Sequence, residues 1–161
     1  GTSNFLRNIP ISCVSIGLVK GFTPMLGVIY DFNNSDLYFA HKNSKAFVNK
    51  SEINVSSLNL KKDSTLVTGI PAKDSYSDDE FSNMISDFQS WKKIRMIGSA
   101  AMASAYVAAG KAEAYKENGI FLWDIAAGAA IVEAAGGKAS ISNYQSDFRV
   151  DAYFTNSNLE K

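Results

Sequence analysis

Two segments of the sequence place a glycine directly before a hydroxyl residue at the predicted start of a helix. They are Gly1-Thr2-Ser3-Asn4-Phe5, where Thr2 or Ser3 can cap the helix, and Gly98-Ser99-Ala100-Ala101. The free N–H groups at a helix N-terminus can bind an anion, and a glycine lets the backbone approach it closely. An ordinary capped helix is also a sufficient explanation, so both interpretations stay open for each segment.

A third segment could hold a cation. In Trp123-Asp124-Ile125-Ala126-Ala127-Gly128, Asp124 lies at the predicted start of a helix, and Glu117 precedes it by seven residues. The helix dipole favours the ionised form of an aspartate at this position. Hard cations such as Mg²⁺ take carboxylate oxygens as ligands. A simple helix N-cap is the alternative interpretation of Asp124.

Several classes of site and partner are disfavoured by composition. Cys13 is the only cysteine and His41 the only histidine, so the sequence has no Cys/His cluster for zinc and no intrachain disulfide. A reducing, cytoplasmic setting is the simplest expectation. With 16 basic and 16 acidic residues the net charge is zero, which argues against direct nucleic-acid binding. The apolar runs are too short to cross a membrane, so no membrane partner is expected.

The elements that must position these segments fall into two patterns. Residues 11–60 predict an antiparallel meander, because the first strand alternates, with Val14, Ile16 and Leu18 on one face. The run from Met25 to Tyr30 is almost continuously apolar, which is typical of a central strand that is covered on both faces.

After residue 61, strands alternate with helices, which indicates an α/β layer. Ser77 followed by Glu80 is a capping-box signature that predicts a helix start. Two helices rich in small residues are predicted over Ser99 to Ala109 and over Asp124 to Ala135, and small residues imply close packing. Short strands are predicted over residues 65–70, 94–97, 112–115, 138–142 and 150–155. The sequence thus predicts two subdomains, one over residues 1–61 with the antiparallel sheet and one over residues 62–161 with the α/β layer.

The order of these segments resembles the inositol monophosphatase family. Gly1-Thr2-Ser3-Asn4-Phe5 is similar to the end of the family's first signature, in which Asp-Pro-hydrophobic-Asp directly precedes Gly-Thr-Ser/Thr-Asn-Phe. The stretch from Trp123 to Gly128, continuing through Ala135-Gly136-Gly137, is similar to the second signature. Arg95 to Tyr115 is similar to the family's helix and following strand, so the resemblance covers nearly the whole chain.

The resemblance implies both a fold and an activity. The fold is a layered α-β-α-β-α sandwich of the inositol monophosphatase and fructose bisphosphatase type. The activity is Mg²⁺-dependent hydrolysis of a small phosphomonoester, inositol monophosphate or a similar sugar phosphate. In such enzymes the metal ions bridge the phosphate and activate a water for in-line attack.

The resemblance also implies a role for seven residues. Asp124 matches a metal ligand that also contacts the substrate, and Gly1 and Thr2 match a phosphate cradle. The hydroxyl of Thr2 matches one that orients the attacking water, so Thr2 and Asp124 are the predicted catalytic residues. Glu117 matches a carboxylate that accepts substrate hydroxyls. Gly98, Ser99 and Ala100 match residues that line the sugar or inositol pocket.

One departure from the family pattern is large. The family's other metal carboxylates, one Glu and two Asp, precede the residue that Gly1 matches, so we expect a chain truncated at its N-terminal side with the first layers partly missing. We further expect an exposed apolar face, an unpaired sheet edge and self-association, a homodimer being the simplest form. For the 161-residue chain taken alone we expect weak Mg²⁺ binding and little phosphatase activity, since one carboxylate is a poor site for this ion.

Other functions stay open at this stage. Fructose-1,6-bisphosphatase and nucleotide 3′-phosphatase activities are close rivals within the family. A non-catalytic, regulatory protein-binding role is the alternative from another class. A substrate panel separates the first group, and a role as a scaffold should survive the loss of Asp124.

Overall fold

The structure is a computed structural model that describes residues 1–70 and 76–159. Its helices are α1 (Thr2–Leu6), α2 (Asp78–Gln89), α3 (Ala100–Ala108) and α4 (Leu122–Ala134). The strands of the first sheet are β1 (Val14–Lys20), β2 (Thr23–Asp31), β3 (Asp36–His41), β4 (Ala46–Val48) and β5 (Ser51–Ile53). Those of the second sheet are β6 (Thr65–Thr68), β7 (Lys93–Met96), β8 (Ala114–Phe121), β9 (Lys138–Ser142) and β10 (Arg149–Thr155).

The first sheet is the predicted antiparallel meander, with its five strands in chain order. Its inner face packs on α3 and α4 and carries buried side chains such as Ile29 and Tyr38. Its outer face carries Ile16 opposite Val28, and Tyr30 on this face is 39% exposed. The prediction that Met25 to Tyr30 is covered on both faces is therefore wrong, because among the described residues only the inner face has a helical layer against it.

The second sheet has the strand order β7-β6-β8-β10-β9. The first three strands are parallel, and β10 is antiparallel to both of its neighbours. On one face Val67 and Tyr115 join the core around α3 and α4, and on the other Leu66 and Ala114 contact Phe88 of α2. The layers are thus sheet, helices, sheet, helix, as in the predicted α/β sandwich. The division into two subdomains at residue 61 stays a prediction.

Small residues in α3 and α4 let this central layer pack tightly. A Cβ atom added to Gly128 of α4 would lie 2.6 Å from Oγ of Ser104 in α3. One added to Gly17 of β1 would lie 2.8 Å from the backbone nitrogen of Ala127, and one on Gly27 of β2 would overlap the carbonyl of Ala127. The first sheet therefore contacts the α4 backbone directly at Ala127, and glycine at both strand positions permits this short distance.

The helix starts agree only in part with the sequence. Ser77 and Glu80 form the predicted capping box of α2. The prediction that Thr2 or Ser3 caps α1 is wrong, because Gly1 is the N-cap and no side chain bonds there. Within the described ranges no helix is both long and apolar enough to cross a membrane.

Candidate active site

One cavity of about 660 Å³ opens between the starts of α1, α3 and α4 and the end of β8. All seven predicted site residues line it, namely Gly1, Thr2, Gly98, Ser99, Ala100, Glu117 and Asp124. These residues come from positions up to 123 apart in the sequence. Their convergence on one surface is a property of the fold; the chemical role of each of them stays a prediction.

Asn4 ties two of the cavity's walls together. Its side-chain amide donates hydrogen bonds to the carbonyl oxygens of Ile11 at 2.8 Å and Ile97 at 2.7 Å. A Cβ atom on Gly98 would lie 3.0 Å from the Asn4 side chain, and the φ of Gly98 is +69°, a conformation that favours glycine. Asn4 thus holds the glycine turn before α3 against the start of α1.

Ser99 lies where the glycine turn becomes α3. Its hydroxyl accepts a hydrogen bond from the Met102 backbone N–H at 3.4 Å, so Ser99 is the side-chain cap of this helix. Cys13, on the opposite wall, has its sulfur 4.0 Å from the Ser99 hydroxyl. Burial raises the pKa of the Cys13 thiol, although the Ser99 contact opposes this shift. A raised pKa keeps the thiol protonated and unreactive at neutral pH.

Glu117 faces the cavity from β8, the central strand of the second sheet. Its Oε2 accepts a hydrogen bond from the phenol of Tyr115 at 2.9 Å. Burial raises the pKa of Glu117, the Tyr115 hydrogen bond lowers it, and the nearby Asp124 raises it further. The pKa of Tyr115 is well above its usual value, first through burial and then through the negative Glu117. Tyr115 therefore remains a hydrogen-bond donor at ordinary pH.

Asp124 is the third residue of α4, whose N-cap is Phe121 without a side-chain cap. The alternative that Asp124 itself is the N-cap is therefore excluded. Burial raises the pKa of its carboxyl group, and the positive amino group of Gly1 acts in the opposite direction. The carboxylate thus lies at the cavity wall with no ion pair to another side chain among the described residues.

Among the described residues, the cavity has few acidic side chains that could bind magnesium. Over residues 1–70 and 76–159 no group of three or more His, Cys, Asp or Glu side chains is close enough to hold a metal ion. On the cavity wall the carboxylates are Asp124 and Glu117, and Tyr115 occupies one oxygen of the latter. The described residues offer Asp124 as one ligand, and they do not fit a closed octahedral cage.

Three residues of the site have no counterpart among the sequence predictions. Asn4 and Tyr115 hydrogen-bond to cavity residues or their neighbours, and Gly69 lies beneath the carboxylate of Glu117. For Tyr115 a signal existed, because residues two apart on a strand share a face. For Gly69 none did, since its neighbour across the sheet is 48 positions away.

Comparison with known proteins gives a consistent result. Residues 1–155 match the family model described as "Inositol monophosphatase family". The chain is 39% identical over 138 residues to "Nus factor SuhB" of Xylella fastidiosa, covering 85% of this chain and 50% of that protein. It is 35% identical over 147 residues to "Inositol monophosphatase 2" of Saccharomyces cerevisiae, with the same coverage of 85% and 50%.

Solved structures agree with the sequence matches. The structure of an inositol monophosphatase from Anabaena superposes with a TM-score of 0.84 at 34% identity, covering 99% of this chain and 66% of that one. The chain spans about half the length of the curated relatives it matches.

Proposed function

Because the chain belongs to the inositol monophosphatase family, we propose that its cavity binds a small phosphorylated polyol or sugar and that the protein hydrolyses the phosphomonoester with Mg²⁺. The observation that carries this proposal is the single 660 Å³ cavity on which all seven predicted residues meet. Its size suits a ligand of this kind, since small-molecule sites typically have volumes of about 300–1,000 Å³.

The phosphate end of the substrate is assigned to the start of α1. Gly1 and Thr2 line the cavity there, and the Thr2 hydroxyl is the group that we assign to orienting the attacking water. Asn4 supports this assignment because it fixes the segment against the turn before α3. Holding reactants in a fixed geometry is one of the main sources of enzymatic rate enhancement.

Asp124 is the carboxylate that we assign to the metal. When bound, Mg²⁺ would supply charge neutralisation at the phosphate. The described residues provide only this one assigned metal ligand. Their assigned roles are therefore to bind the substrate, to orient it and to supply one ligand to the metal.

The hydroxyl-bearing end of the substrate is assigned to the wall formed by Glu117 and the turn Gly98-Ser99-Ala100. Glu117 is half-buried, and such a carboxylate selects ligands that donate hydrogen bonds, because a ligand without donors would leave it unpaired. Inositol monophosphate fits this description best, with fructose 1,6-bisphosphate and nucleotide 3′-phosphates as rivals.

The decisive test is phosphate release from a substrate panel by the full-length protein and by its Asp124→Asn variant, because the described residues supply one assigned metal ligand. The amide preserves the size of the side chain and removes the charge that holds a cation. We expect turnover of inositol monophosphate by the wild type and loss of at least about a hundredfold in the variant. Asp79→Asn, in the first turn of α2 and away from the cavity, is the matched control. Near-normal turnover by Asp124→Asn at saturating Mg²⁺ would contradict the proposal.

A second candidate is a regulatory, protein-binding role. It is favoured by the name of the Xylella relative, a Nus factor, together with the exposed apolar outer face of the first sheet. The same Asp124→Asn variant separates the two functions. A binding role persists in the variant, whereas phosphatase activity does not.

A further inference from the structure

Three neighbouring strands converge on the carboxylate of Glu117. Glu117 lies on β8, between β6 and β10 in the second sheet. Tyr115 precedes it by two residues on the same face of β8, and Gly69 directly follows β6. The parallel register pairs Thr68 with Lys116, which brings Gly69 alongside Glu117.

Tyr115 is held in a single position. The residue is fully buried, with 0% of its surface exposed, and its phenol oxygen is 2.9 Å from Oε2 of Glu117. Phe154 of β10 pairs with it in register, and the two rings meet edge to face with centroids 5.7 Å apart. A buried tyrosine that is packed in this way has little freedom to redirect its O–H group.

Gly69 makes the space that the carboxylate occupies. A Cβ atom added to Gly69 would lie 2.5 Å from Cδ and 2.5 Å from Oε1 of Glu117. The carboxylate therefore lies against the backbone where any other residue would place its side chain. The φ of Gly69 is not in the left-handed region, so the requirement for glycine here is one of space.

We propose that Tyr115 and Gly69 are positioning residues that hold the Glu117 carboxylate in one orientation. In this orientation Oε2 accepts the hydrogen bond from Tyr115, and Oε1 is left to accept a hydrogen bond from a hydroxyl of the substrate. This inference rests on the proposed function and deepens it, since it makes the site selective for hydroxyl-bearing phosphomonoesters. Over the described ranges Oε1 accepts no hydrogen bond from the protein. A preorganised acceptor discriminates more strongly than a mobile one, because it does not turn away when a ligand offers no donor.

The first experiment measures KM and kcat of the full-length protein for two substrates. Inositol 1-phosphate has hydroxyls beside the phosphate, whereas p-nitrophenyl phosphate has none. We expect Tyr115→Phe to raise KM for inositol 1-phosphate roughly three- to tenfold, the equivalent of one hydrogen bond, and to change KM for p-nitrophenyl phosphate much less. Tyr153→Phe, on the neighbouring strand β10 and outside the cavity, is the control and should change neither value.

The second experiment measures how the affinity for inositol 1-phosphate depends on pH. This dependence would not change if Tyr115 had only a structural role. The groups that act on Glu117 are Tyr115 on its own strand and Asp124 on α4. Removing the Tyr115 hydrogen bond raises the pKa of Glu117, so the loss of inositol 1-phosphate affinity on acidification should begin at a higher pH in Tyr115→Phe. An unchanged profile with an unchanged KM would overturn the inference.

A mutant cycle tests Gly69 separately. Gly69→Ala should displace the carboxylate and raise KM for inositol 1-phosphate at least as much as Tyr115→Phe does. In a Glu117→Ala background the same change should have almost no further effect, because no carboxylate is left to displace. Full additivity of the two changes would contradict the role of Gly69. A full-length wild-type protein that hydrolyses neither substrate contradicts the proposed function instead, and equal effects on both substrates contradict only the present inference.

Discussion

The two faces of the first sheet are made from the same strands and differ in what lies against them. On β1 and β2 the inner face presents Gly17 and Gly27 to the backbone of Ala127 in α4. The residue directly before Gly17 on β1, Ile16, lies on the outer face and is 61% exposed. Other exposed apolar side chains on this face are Val14, Leu18, Tyr30 and Leu37.

The difference shows that apolar character and structural constraint are separate properties. The outer face is apolar, yet among the described residues no helix packs against it. The inner face presents glycines, and their contact with Ala127 sets the distance between the sheet and α4, the helix that carries Asp124. An exposed apolar patch of this kind marks an interaction surface in most proteins. Substitutions on opposite faces of one strand should therefore have different consequences.

The largest effect is expected for Gly27→Ala. The new Cβ atom would overlap the carbonyl of Ala127, and neither backbone can move without shifting the sheet or α4. We expect a loss of about 3 kcal/mol in the free energy of unfolding, at the upper end for overpacked cores. Val28→Ala, the next residue on β2 and on the outer face, is the control and should cost about 1 kcal/mol or less. Urea denaturation measures both, and equal losses would remove the distinction between the faces.

The second effect concerns association. We expect Ile16→Lys to reduce the fraction of dimers or larger assemblies, because a charge on the outer face opposes burial of that face. The free energy of unfolding of the monomer should change little, since Ile16 is mostly solvent-exposed. Sedimentation velocity at several concentrations gives the assembly state. Lys20→Glu, near the end of the same edge strand, controls for a change of charge alone. A wild-type chain that is monomeric at high concentration would show that this face does not mediate self-association.

The outer face of the first sheet illustrates that the sequence predicts the strands better than it predicts which layers pack against them. The meander, the capping box of Ser77 and Glu80, and the helices from Ser99 and from the Asp124 segment all follow from local patterns. An alternating strand shows that one face is apolar, but not whether a layer lies against it. A continuously apolar run such as Met25 to Tyr30 predicts two covered faces, yet among the described residues only its inner face has a helical layer against it.

The cavity also combines residues of two kinds, those found in local sequence motifs and those brought in by long-range pairing. The seven predicted residues came from short motifs that resemble a family, and they do meet on one cavity. The partners that hold them come from long-range pairings instead. Asn4 bonds to Ile97, 93 positions away, and Gly69 faces Glu117 across two parallel strands. No local pattern carries information of this type, because it depends on the register of the sheets.

A smaller effect is expected from neutralising Glu117. Burial raises its pKa in the folded chain, so the folded state binds more protons than the unfolded state between the ordinary glutamate pKa and the raised one. The free energy of unfolding therefore falls as the pH rises through this window and stays lower above it. We expect Glu117→Gln to be slightly more stable than the wild type at neutral pH, and the difference to vanish in acid.

Thermal melting across a pH series measures this effect, and Glu52→Gln is the matched control. Glu52 lies on β5 and pairs with Lys45 at 2.7 Å on the surface, so its neutralisation should be neutral or slightly destabilising. The two variants therefore compare Glu117, a half-buried carboxylate that lowers the free energy of unfolding, with Glu52, a surface carboxylate that does not. A less stable Glu117→Gln at neutral pH would contradict the assigned direction.

The smallest effect is expected from magnesium added to the 161-residue chain without substrate. Asp124 is the one assigned ligand, Mg²⁺ gives up its water reluctantly, and the amino group of Gly1 places a positive charge nearby. We expect a Kd above about 1 mM, so that 1 mM Mg²⁺ adds no more than about 0.4 kcal/mol to the free energy of unfolding. Calorimetric titration of the wild type and of Asp124→Asn isolates the contribution of this carboxylate. Adding inorganic phosphate should strengthen binding in the wild type more than in the variant, because phosphate oxygens supply further ligands beside Asp124. Micromolar binding that disappears in Asp124→Asn would show that other groups of the chain complete the site together with Asp124.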